Sequence, residues 1–267
     1  MLAYEYFPDI YSFRDALASR KNTEMLGNAS NERDFAWYKT NSYAEADELL
    51  QCGDRAIADR VIKALNDAAP VMQQPRRTVR NNVYGGAPNV ARALQGHPKA
   101  MRQVISVPVK APSVHIVYSC SALAGVQSET MIEAGVCLLR VVKHLEAKNT
   151  RVELTACNSS SDARTIQWCC CVGVKKAQQP LDIIKLTYLI AHPSALRRHG
   201  FRWRETFPQT AELTSATYVG YGGTDTNILR NAIRQKRPGS VVLDIETIKR
   251  YRYDPDAIIS DLEKFRV

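Results

Sequence analysis

Three short stretches carry side chains able to do chemistry together. Ser119-Cys120-Ser121 follows a β-branched run, Gly222-Gly223-Thr224-Asp225 precedes a helical pattern, and Asp244 ends a further apolar run. Open α/β sheets bind ligands beyond the carboxyl ends of their strands, so Ser119, Ser121, Thr224 and Asp244 are expected to converge at one sheet edge. With Asp225 they offer hydroxyls and carboxylates to a ligand or partner. The simpler role of these hydroxyls is to cap helices and satisfy loop amides, and no cofactor is expected. Gly220 to Thr224 could seat a phosphate at a helix N-terminus, but the lysine of a phosphate-binding loop is missing. Cys120 sits where a strand turns toward a helix, a place that can activate a thiolate. No base is identifiable for it, because His115 lies on the same strand and His97, His144, His192 and His199 lack motif context.

Charge and cysteine placement add two further features. The formal net charge is +9, and not one acidic residue lies between Asp67 and Glu129. Arg76, Arg77, Arg80, Arg92, Lys99, Arg102 and Lys110 all fall in that window. So one-sided a stretch implies an acidic partner: nucleic acid, an acidic protein face or a phosphate-bearing ligand. Tyr251 and Tyr253 interleave with Lys249, Arg250 and Arg252, a pattern that suits base stacking or an amphipathic edge equally well. The cysteines number seven, an odd count without a disulfide framework or a zinc spacing. Cys169, Cys170 and Cys171 should lie on a central strand, unbridged, their side chains alternating between its faces.

The elements that must position these residues can be read from periodicity. Val114 to Tyr118, Arg151–Cys157, Thr165–Val174 and Ser240–Ile245 read as strands, and Tyr4–Phe7 as a short one. Ser128 to Ala147 reads as a helix capped by Ser128, with Met131, Ala134, Leu138, Val141, Val142 and Leu145 on one face. Leu181–Ala191, Ser194–Arg204, Thr226–Lys236 and Asp256–Phe265 also read as helical. Before them come Ile10–Arg20, Tyr43 to Leu50 with Ser42 and Glu45 as a capping box, and Asp54–Leu65. The polar stretch Asn22–Asn31 reads as a loop. Residues 68–110 hold many prolines and glycines yet keep recurring apolar residues, so an ordered excursion with a short helix at Val90–Leu94 is expected. The fold class is α/β: a doubly wound, mostly parallel sheet with helices on both faces, preceded by a mainly helical N-terminal region. The division is residues 1–110, including the basic excursion 68–110, and residues 111–267. Apolar content of 45% and charged content of 24% fit an ordinary globular protein. No apolar run suits a membrane span and no secretory leader is visible, so a cytoplasmic protein without membrane association is expected.

Val117-Tyr118-Ser119-Cys120-Ser121, Gly222-Gly223-Thr224-Asp225 and Val242-Leu243-Asp244, in that order and strand context, resemble the landmarks of a von Willebrand factor A (vWA) domain. That family carries Asp-x-Ser-x-Ser, a later threonine and a strand-end aspartate at its metal-ion-dependent adhesion site. Here the first aspartate is replaced by Val117, so the resemblance implies a Mg²⁺ held by Ser119, Ser121 and Thr224, with the carboxylate such an ion usually wants left to Asp225 or Asp244. The Gly-Gly-Thr-Asp loop resembles Ro-type RNA-binding proteins, and the arginine-rich 181–204 segment is similar to one in the CobT-like cobalt-chelatase branch. Segments around Trp37, Ser42 to Ala46 and Gly86 to Val90 resemble proteins of tailed bacteriophages and prophages. The resemblance implies a non-enzymatic binding or assembly module of phage type, in the host cytoplasm or the virion, with a protein partner. The alternative is nucleic-acid binding through the basic 76–110 segment. Oligomeric state is left open.

Overall fold

A computed structural model of the chain describes residues 2–20, 35–66, 77–106, 112–161, 167–207 and 226–267. In chain order its elements are β1 (Leu2–Phe7), α1 (Ile10–Ser19), α2 (Phe35–Tyr38), α3 (Tyr43–Cys52), α4 (Arg55–Asn66), β2 (Arg77–Asn82), β3 (Ala87–Pro88), α5 (Val90–Leu94), β4 (Met101–Ser106), β5 (Ser113–Ser119), α6 (Ser128–Ala147), β6 (Arg151–Ser161) and β7 (Gln167–Lys175). There follow α7 (Ile183–Ala191), a π-helical turn at Ala195–Gly200, α8 (Phe201–Thr206), α9 (Thr226–Lys236), β8 (Val241–Asp244), α10 (Ile245–Arg250), α11 (Pro255–Ser260) and a 3₁₀ turn at Leu262–Phe265.

The centre is a five-stranded, mostly parallel sheet in the order β1-β7-β6-β5-β8. β5 runs parallel to both β6 and β8, β1 runs parallel to β7, and only the β6–β7 pair is antiparallel. β5 is buried on both faces, which is why Val114, Ile116, Val117 and Tyr118 read as one apolar run. The whole apolar face predicted for α6, Met131 through Leu145, is buried against that sheet and α7. Each such side chain contributes about 1.5–3 kcal/mol on leaving water. On the opposite face α9 lays Leu229, Ala232 and Ile233 over Val117, Cys157, Cys169, Cys171 and Val242. The fold is thus mixed α/β around a mostly parallel sheet. Residues from both sides of position 110, including Phe7, Phe13, Leu50 and Val61, share one apolar cluster with the strands and α6.

Several local expectations need correction. Ser128 does not cap α6. Gln127 holds that position, and buried Ser128 instead donates its hydroxyl to the carbonyls of Ala36 and Trp37. The C-terminal helix is shorter than expected, ending at Ser260, and a separate helix, α10, starts directly from Asp244. The expected Asn22–Asn31 loop lies outside the described residues.

The basic excursion is a small sheet of its own, order β2-β4-β3, with antiparallel pairing. Gly85 makes its turn possible, since a β-carbon there would sit 2.3 Å from the Arg102 carbonyl oxygen. Val79 pairs with Val104 across β2 and β4, and both are more than half exposed. No helix among the described residues is long and apolar enough to cross a membrane.

Candidate functional site

At the carboxyl end of β5, where its two neighbours β6 and β8 diverge to different connections, lies a cavity of about 120 Å³. Ser119, Ser121, Ser159, Thr226, Asp244 and Glu246 supply its polar lining. Strand alternation and the β5–β8 register, which sets Ser119 beside Asp244, bring these residues together. Of the residues expected to converge, Ser119, Ser121 and Asp244 do so, whereas Thr224 and Asp225 lie outside the described residues. Ser159, Thr226 and Glu246 were missed, because none stands in a recognisable spacing with the others.

The donors in this cavity are largely committed. The Ser121 hydroxyl accepts from the Ser159 amide at 2.7 Å. Asp244 caps α10, accepting from the Thr247 amide at 2.6 Å. Ser159 is buried, and its hydroxyl has no hydrogen-bond partner among the described residues. Val117, at the position of the missing carboxylate, is fully buried among apolar side chains under α9. β5 itself therefore offers this cavity no carboxylate; those that line it come from Asp244 and Glu246. Burial pushes the Cys120 thiol up to about 12, and it donates to the Cys157 carbonyl at 3.2 Å.

The second candidate is the β2–β4 arm. Arg80 and Arg102 are exposed on it, Lys99 precedes β4, and half-exposed Arg92 sits on α5. Arg77 lies on β2, and Arg76 and Lys110 are outside the described residues. Arg80 faces Gln103 and Arg102 faces Asn81 across neighbouring pairs of the ladder. Adjacent positions of a strand point to opposite faces, so the arginines flank both faces of the arm rather than forming one flat patch. Val83, Tyr84, Val90 and Leu94 are each more than 60% exposed beside them.

The arginines of the 194–204 segment behave differently. Arg197 and Arg198 are fully buried. Arg197 donates to the carbonyls of Trp37 and Val126 and to Ser128, and stacks 4.3 Å from the Trp37 ring. Arg198 donates to the Thr40 hydroxyl and carbonyl and stacks 4.1 Å from the Tyr38 ring. They clamp residues 37–40 onto the body. Tyr251 is likewise structural, donating to Asp261 at 2.7 Å.

No curated protein and no solved structure matches the chain. A family model does match, over residues 2–263, and the chain belongs to that family, described as a domain of unknown function (DUF7192).

Proposed function

We propose that the chain is a non-enzymatic binding or assembly module whose β2–β4 arm docks on an acidic protein surface. One observation carries this reading: a thin sheet with Val79 and Val104 paired in water, Arg102 on their face and Arg80 on the other, Lys99 just before β4, and no carboxylate in the arm. A small sheet needs a covered apolar face to be stable in water, and exposed apolar groups of this kind mark interaction surfaces. The exposed groups are mainly aliphatic, with Tyr84 the one aromatic among them. Aliphatic contact with a basic rim suits a protein partner, whereas single-stranded nucleic acid is gripped by stacking aromatics. The mostly parallel sheet and the convergence of Ser119, Ser121 and Asp244 support a vWA-like, doubly wound arrangement. In that arrangement the strand-end cavity presents a second, hydroxyl-lined contact face. The phage assignment rests on the resemblance of the Trp37–Ala46 and Gly86–Val90 segments, and places the module in the host cytoplasm or the virion.

The test is capture by tagged protein from phage-infected cells, with and without nuclease, using wild type and Arg80→Glu/Arg102→Glu. Nuclease-resistant capture lost in the double variant, with an unchanged Tm, is the expected result. Exposed charges contribute below about 1 kcal/mol each to stability yet dominate long-range attraction. Loss of capture on nuclease treatment, with steep salt dependence on mixed single-stranded RNA, would move the reading to nucleic-acid binding. Capture indifferent to the substitutions would remove the arm from the function.

A further inference from the structure

Between the sheet and α9, three cysteine sulfurs meet. Cys157 on β6 lies directly opposite Cys171 on β7, and Cys169, two residues before Cys171, returns to the same face. Cys157 Sγ is 3.3 Å from Cys171 Sγ and 3.6 Å from Cys169 Sγ, and Cys169 and Cys171 are 3.8 Å apart. All three are essentially inaccessible to solvent. Cys170 points to the other face and joins the other core cluster. The spacing seen in the sequence concealed this group, because the third member comes from a neighbouring strand.

We propose that Cys157, Cys169 and Cys171 form a binding site for one thiophilic d¹⁰ metal ion, with copper(I) as the ion they suit best. The separations fit. A disulfide would need about 2.05 Å. Metal–sulfur bonds of about 2.3 Å place sulfurs roughly 3.8–4.0 Å apart around a tetrahedral or trigonal centre. The closest pair, Cys157 and Cys171, thus needs to spread by roughly 0.5–0.7 Å and the other two pairs by less to accept an ion.

The surroundings select its type. Val117, Leu229, Ala232, Ile233 and Val242 wall the site. The Tyr4 hydroxyl, hydrogen-bonded to Cys171, is the oxygen donor that reaches it. Soft sulfur ligands select copper(I) or zinc over hard cations. Zinc favours four ligands and would have to recruit Tyr4, whereas copper(I) is satisfied by three sulfurs. The thiols release their protons to solvent as they bind the ion.

The experiment uses the reduced full-length chain, anaerobic, both native and refolded with the ion so that α9 can close over it. Copper(I) and, in a parallel arm, zinc are offered in competition with a chromophoric chelator. One copper per chain is expected to be withheld, with thiolate-to-copper absorption and three sulfur neighbours by X-ray absorption spectroscopy. Cys170→Ala should keep the ion. Cys157→Ala or Cys169→Ala should lose affinity by more than the roughly 10–100-fold typical of an outer-shell partner. Preferential zinc uptake on the same sulfurs would keep the site and correct the ion. No ion withheld by wild type, fewer than three sulfurs around the metal, or equal loss in Cys170→Ala would overturn the proposal. The sulfur count is read on wild type, so it decides even where a cysteine variant fails to fold.

Discussion

Arginine takes two opposite roles in this chain, and the difference is set by what surrounds each guanidinium. Arg197 is buried, holds three oxygen acceptors and stacks on an indole. Arg80 lies in water on β2. Truncating Arg197 removes a charge-assisted hydrogen bond from each of the Trp37 and Val126 carbonyls and leaves a hole beneath residues 37–40. Arg197→Ala should therefore cost about 2–4 kcal/mol, combining lost charge-assisted hydrogen bonds with lost packing. Arg80→Ala should stay within about 0.5 kcal/mol. Urea unfolding of both variants checks this, and equal effects would refute the division. Nothing in the sequence separates the two residues, since both sit in basic, helix- or strand-compatible stretches. The acceptor of Arg197 at Trp37 lies 160 residues away in the chain, a distance over which local pattern is silent. The thiol cluster escaped for the same reason: Cys169 and Cys171 are visible as neighbours, and Cys157 is not.

Elements buried on a clear face were legible, and those without one were not. β5, α6, β6, β7 and β8 announce themselves through long apolar periodicity, because two-sided burial leaves little choice of residue. The strand-end convergence of Ser119, Ser121 and Asp244 followed from those assignments. β2 and β4 carry no alternation, since both of their faces meet water, and only the density of proline and glycine was visible there. α10 was missed because Asp244 serves at once as last strand residue and helix cap, leaving no linker to mark the change. The α6–α7 contact yields a sharp expectation. A β-carbon on Gly135 would sit 2.4 Å from both the α- and β-carbons of Ala191. Gly135→Ala must push the two helices apart, whatever it gains in helix propensity. The cost of such overpacking is about 1–3 kcal/mol or more, against a propensity gain of about 1 kcal/mol. A net loss of stability on thermal or urea unfolding is expected, and a stabilised variant would mean the helices do not cross there.

The molecule buries His192 and His199 and half-buries His115, and these three shape how it responds to acid. Burial holds His192 down to about 4, and it lowers His115 and His199 as well. The opposing pull of nearby carboxylates, Asp54 on His192 and Asp47 on His199, is outweighed. The unfolded chain titrates its histidines near about 6.5. A group with a depressed folded pKa favours the native state above its unfolded pKa and loses that favour as pH falls toward the folded one. Stability should thus be flat above about pH 7 and decline between roughly 6.5 and 4, with His192 alone contributing up to about 3 kcal/mol of the fall. Asp47, held low by His199, whose Nε2 lies 3.7 Å away, and by the hydrogen bonds from Arg14, adds its loss only below the ordinary carboxylate range, so the two effects separate on the pH axis. His192→Asn can keep the hydrogen bond that Nδ1 accepts from the Ser194 amide at 3.1 Å while removing the titration. Denaturant midpoints for wild type and this variant at about pH 7.5, 5.5 and 4.5 decide the matter. The variant should start lower and converge on wild type as pH drops. Parallel curves, offset by a constant amount, would show that His192 titrates alike in the folded and unfolded chain.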